Sequence, residues 1–147
     1  MKNQFSIEYA KHVELVGKFH EAKTANNEAE MQSIREAHEE LMESIKAKGT
    51  TYNRIYSKYE DAQERGNSYI DFGDVIWDDK VEEFVKGLRD CGVEKFVFSA
   101  SWSSAVETAW LLQQNGCKLE GLIEINGITK VFGTDEYKKA HGYLFSL

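Results

Sequence analysis

The sequence predicts an α+β protein: about three N-terminal helices followed by a small βαβαββα domain with a mixed sheet. Three observations predict it. Apolar residues recur every three or four positions through most of residues 7–65. From Tyr69 onward they gather instead into short runs rich in Val, Ile and Phe. Twice a helical pattern ends on a glycine that leads into such a run, at Gly92 and Gly116. Successive helix–glycine–strand units imply crossovers and a partly parallel sheet. The boundary is expected at Gly66-Asn67-Ser68, giving a helical region over 1–66 and an α/β domain over 67–147.

The first helix carries Ile7, Ala10, Val13, Val16 and Phe19 and stops at Thr24-Ala25-Asn26-Asn27. Asn27 opens the second, where Met31, Ile34, Leu41 and Ile45 form a row and His38 fills its missing step. Glu28 and Glu30 near its start and Lys46 and Lys48 near its end suit the helix dipole, and Gly49 ends it. The third starts at Thr50 or Thr51 and reaches about Arg65, with Tyr52, Ile55, Tyr56, Tyr59 and Ala62 in one stripe. Proline is absent, so nothing interrupts these helices.

In the second half, Tyr69–Trp77 contains a short strand. Asp78 and Asp79 cap a helix with Val81, Phe84, Val85 and Leu88 on its inner face. Val93–Ala100 is a strand. Ser101, Ser103 or Ser104 caps a helix carrying Val106, Ala109, Trp110 and Leu111, with Trp102 expected to pack on the sheet. Cys117–Ile125 is the next strand. Asn126-Gly127 reads as a type I′ turn, because both positions tolerate positive φ, with Ile128–Phe132 returning antiparallel. Thr134-Asp135-Glu136 then caps a last helix holding Tyr137, Ala140, Tyr143 and Leu144.

Composition bounds the function. The 147 residues carry a net charge of -7, whereas nucleic-acid binding needs clustered Lys and Arg, so direct nucleic-acid binding is not expected. Residues 67–147 hold 8 Lys and Arg against 13 Asp and Glu, compared with 10 against 12 in residues 1–66. No apolar run nears the ~18 residues of a membrane span. The first 20 residues hold Glu8, His12, Glu14 and several lysines rather than a signal-peptide core. Cys91 and Cys117 form no CxxC pair, so neither a zinc site nor a cofactor is expected; both read as free thiols in a reducing cytoplasm.

Three groups of residues are candidate sites. Asp71, Asp74, Asp78, Asp79, Glu82 and Glu83, offset only by Lys80, would form an acidic face for a basic partner, or simply a solvated surface. Ser101, Ser103 and Ser104 follow a strand and open a helix, the place where a phosphate or carboxylate would sit. The loop lacks the glycines of a phosphate-binding fingerprint. The rows Met31, Ile34, His38, Leu41, Ile45 and Tyr52, Tyr56, Tyr59 could join helices of two molecules. No serine lies in a GxSxG elbow, and no catalytic residue is assigned.

At Asp71-Phe72-Gly73-Asp74, at Ser99–Trp110 and along Gly116–Asn126, the chain resembles a family of small proteins from gut Clostridia and their phages, plasmids and conjugative elements. The resemblance covers about residues 69–147 and brings no activity, cofactor or catalytic residue. What it implies is an accessory protein of mobile DNA. In that setting small acidic proteins often block host defences by binding, CRISPR–Cas inhibitors among them. The leading expectation is therefore a non-catalytic, cytoplasmic protein-binding protein with a basic, nucleic-acid-binding effector as partner. The others are an anion- or nucleotide-binding domain centred on the serine loop, and a helix-mediated homodimer.

Overall fold

The computed structural model describes residues 3–73, 76 and 78–147. The chain divides into two compact units, 1–54 and 55–147. The division falls inside a helix, ahead of the Gly66–Ser68 boundary.

The first unit is a helical hairpin. Helix α1 spans Gln4–Thr24 and α2 spans Glu28–Lys46. Asn3 caps α1, its Oδ1 accepting from the Ser6 amide at 2.8 Å, and Asn27 caps α2 through the Glu30 amide at 3.2 Å. Asn26 makes the reversal in left-handed conformation, φ 52, which asparagine tolerates better than most residues. Ala22, Met31 and Ile34 are buried together, with Leu15 and Phe19 packed against them. Helix α3, Thr50–Glu64, begins in this unit. The buried carboxylate of Glu8 accepts from the Tyr52 hydroxyl at 2.5 Å and pairs with the Lys48 ammonium.

The second unit holds the rest of α3 and an α/β sheet. Strand β1 is Ile70–Phe72, α4 Val81–Asp90, β2 Lys95–Phe98, α5 Ala105–Gln114, β3 Lys118–Lys130 and β4 Tyr137–Ser146. The sheet order is β1-β2-β4-β3. Strands β1 and β2 are parallel, and β4 is antiparallel to both β2 and β3. The α+β class, the N-terminal helices and the mixed sheet are as the sequence predicts. The predicted inner face of α4, Val81, Phe84, Val85 and Leu88, is buried. Phe84 meets Phe72 edge-on at 4.7 Å, and Phe96 stacks on Phe145 at 5.6 Å.

The C-terminal region departs from expectation. Strand β3 runs straight through Asn126 and Gly127, and the chain reverses at 131–136 instead. Gly127 has no positive φ. Its hydrogen side chain serves close packing, since a Cβ there would lie 3.0 Å from the Lys138 carbonyl oxygen. The true turn is held by Gly133 at φ 76 and by Thr134, whose hydroxyl donates to the Val131 carbonyl and accepts from the Glu136 amide. Thr134-Asp135-Glu136 thus closes a hairpin and caps no helix. The segment predicted as the last helix is β4, its Phe145 opposite Phe96 and its Tyr143 opposite Phe98.

Neither cysteine is in a disulfide; Cys91 is half-buried and Cys117 buried. Burial pushes the Cys117 thiol up, only partly offset by the charge of Arg89. Thiolate is the reactive form. Cys91 is therefore expected to react first with a thiol reagent, and Cys117 only after denaturant is added. Equal rates on the folded chain would contradict this arrangement.

Candidate functional site

Helices α4 and α5 follow the parallel strands β1 and β2, so both begin at the carboxyl ends of those strands, where open α/β sheets place ligands. At their other ends Arg89 Nη1 donates to the Asn115 carbonyl at 3.0 Å. This topology brings the acidic segment and the serine loop, remote in sequence, to one end of the sheet.

The six predicted acidic residues do not form one face. Asp78, Asp79, Glu82 and Glu83 are exposed, with Lys80 3.6 Å from Glu83. Asp74 lies outside the described residues. Asp71 is buried in β1, unavailable to a partner. Its Oδ2 accepts from Arg65 Nη1 and Nη2 at 3.3 and 3.4 Å, and its Oδ1 from the Ser99 hydroxyl at 2.5 Å. Arg65, also buried, donates further to the Asn126 carbonyl at 2.5 Å and the Asp61 carbonyl at 3.2 Å. The Asn67 side chain adds to this knot, donating to the Asn126 carbonyl at 3.0 Å and accepting from the Asn126 amide at 2.9 Å. An asparagine amide has the donor and acceptor of a peptide group. Asn67 therefore takes the place of a neighbouring strand along the edge of β3, where unpaired backbone groups invite another chain.

Ser101 and Ser103 are exposed, and Ser104 sits half-buried at the N-cap of α5. Its side chain makes no capping bond. Glu107 stands in the first turn, a negative charge where an anion would approach.

The largest departure concerns α5. The sequence places Val106, Ala109, Trp110 and Leu111 on this helix and expects Trp102 to pack on the sheet. Thr108 and Leu112 are the buried pair. Trp102 is 64% exposed, Val106 79% and Trp110 53%. Val106 and Trp110 form a stripe one turn long, about 6 Å, on α5, and Trp102 stands in the bend just ahead of the helix. Glu107 is the one charged residue in α5, whereas 29% of the whole chain is charged. That local loss of charge is the sequence signal that could have marked the helix as a contact face. Large apolar residues are also bare on the hairpin, with Ile128 at 84% and Phe132 at 100%.

The helical rows are used internally. Met31, Ile34 and Ile45 are buried and Leu41 is half-buried. His38 Nε2 lies 3.0 Å from Nδ1 of His12 across the hairpin. Met31, Ile34 and Ile45 thus pack within the unit, while Ile34 and His38 also border an open groove. Tyr56 is buried, Tyr52 binds Glu8, and Tyr59 is half-buried.

Among the described residues, no three His, Cys, Asp or Glu side chains gather as a metal site, and no helix is long and apolar enough to cross a membrane. No curated protein and no solved structure matches the chain. Residues 54–147, nearly coincident with the second compact unit, match the family described as a domain of unknown function (DUF7698), and the chain belongs to that family.

Proposed function

We propose that the chain is a non-catalytic protein-binding module whose α5 stripe seats a partner surface that is apolar at its centre and basic at its rim. The observation that carries this reading is the exposure of Val106 and Trp110 on a helix almost free of charge, with the exposed Trp102 in the bend just ahead of it. Tryptophan is the residue most enriched at the energetic centres of interfaces. The rim follows from charge: Asp78 and Asp79, which form a short 3-10 turn rather than capping α4, and Glu82 and Glu83 in the first turn of α4 lie at the end of the sheet where α5 begins, and residues 55–147 carry 16 Asp and Glu against 10 Lys and Arg. Such a field speeds encounter with a basic partner, while the exposed stripe, covered on binding, sets affinity. A phage or mobile-element protein that occupies a basic nucleic-acid-binding effector of host defence is the form of this reading the family resemblance suggests. The anion-binding reading of Ser101, Ser103 and Ser104 is weaker, because Glu107 opposes an anion there.

Tagged wild-type chain should capture a partner from host lysate that the Trp102→Ala/Trp110→Ala double variant does not. Both side chains are largely exposed, so the double variant should keep its unfolding free energy within about 1 kcal/mol. Reversing Asp78, Asp79, Glu82 and Glu83 should slow association with that partner and flatten its salt dependence. A partner held equally well by the tryptophan variant would remove α5 as the docking face.

A further inference from the structure

We infer that the α1–α2 hairpin pairs with the hairpin of a second copy of this chain, across the groove lined by Leu15, Val16, Phe19, Arg35, His38 and Glu39. This surface lies in the first unit and is independent of the α5 stripe.

Two antiparallel helices share only one seam, so each leaves apolar residues without cover. Here the groove has a volume of about 260 Å³, floored by Leu15, Phe19 and Ile34. On α1 beside it, Val16 is 39% exposed and Val13, one turn earlier, 49%. The Arg35 guanidinium lies over the Phe19 ring at 5.3 Å.

Charge identifies the occupant. Arg35 and Glu39 are one helical turn apart on the groove wall, one of each sign. In a two-fold interface residue i meets j while j meets i, so a second copy can set Arg35 against Glu39 and Glu39 against Arg35. The hairpin can also meet its like without strong repulsion, because residues 1–54 hold 8 Lys and Arg against 9 Asp and Glu. Size agrees as well. The two helices run about 30 Å and together present a face about 20 Å wide. That is roughly 600 Å², the order of the ~800 Å² each partner gives a stable interface. The product is a four-helix arrangement, with the groove as its second seam.

Sedimentation of the full chain across a wide concentration range tests this. The mass should rise with concentration toward twice the 16.8 kDa of one chain. Val16→Glu should leave a monomer of unchanged helical content. Arg35→Glu should weaken the dimer about tenfold or more by placing like charges opposite each other. Adding Glu39→Arg should restore it. That rescue separates the cross-copy pair from the lost Arg35–Phe19 contact. A monomer mass at all concentrations, a dimer indifferent to Val16→Glu, or a charge swap no better than Arg35→Glu alone would each overturn the inference. None of these variants touches α5, so partner capture by that helix is read separately.

Discussion

Asp71→Ala is expected to lower the unfolding free energy by about 3–5 kcal/mol, a large share of the ~5–15 kcal/mol that holds a typical domain. Removing the carboxylate takes an acceptor from the Ser99 hydroxyl and leaves the buried Arg65 guanidinium, among the described residues, with the Asn126 and Asp61 carbonyls. A buried charge stripped of its partner keeps its desolvation cost and loses the attraction that offset it. The effect should spread, because Arg65 joins the end of α3 to β1 and to β3. Replacing both partners by apolar residues, Arg65→Met with Asp71→Leu, should recover much of the loss. Urea unfolding of the three proteins decides the matter. A loss below about 1 kcal/mol in Asp71→Ala, or a double variant worse than either single one, would show that the pair does not hold this unit together.

Gly142→Ala is expected to cost about 1–3 kcal/mol, although glycine-to-alanine changes in strands usually stabilise. Gly142 is buried in β4 opposite Ile123. A Cβ on it would overlap Val97 Cγ1 and come within 3.2 Å of both the Phe98 carbonyl oxygen and Ser99 Cβ. Val97 is completely buried and branched at Cβ, so it cannot swing away. The remedy follows from the cause: Val97→Ala should return part of the stability when combined with Gly142→Ala, while lowering it in the parent chain. Equal losses in both backgrounds would place the strain elsewhere.

How far the sequence reveals this structure depends on whether the deciding contacts are local. Asn27, Gly49 and the α4 face Val81-Phe84-Val85-Leu88 are read correctly because caps and amphipathic stripes are set within a few residues. Asn126-Gly127 misleads because its conformation is decided 59 to 61 residues away, by Arg65 and Asn67. Tyr137, Ala140, Tyr143 and Leu144 fit a helical spacing, yet β2 presents the buried run Phe96-Val97-Phe98 and needs a strand beside it. Long-range pairing overrides a local period that is ambiguous over ten residues.

The candidate site was legible only in part. The acids at and just before the start of α4 are exposed, as the charge pattern suggests, but Asp71 belongs to the interior through a pairing that no local rule reveals. The spacing of Val106 and Trp110 puts them on a helix but does not say which side of it meets the sheet. Thr108 takes the inward position beside Leu112, and the tryptophans are left outside.

Acrylamide quenching of tryptophan fluorescence, before and after a captured partner is added, tests the α5 reading most directly. Trp102 and Trp110 should be readily quenched in the free chain and protected in the complex, with the protection gone in variants where both are replaced by phenylalanine. Quenching that stays unchanged in a saturated complex would mean that the partner sits elsewhere and that α5 is not the docking helix.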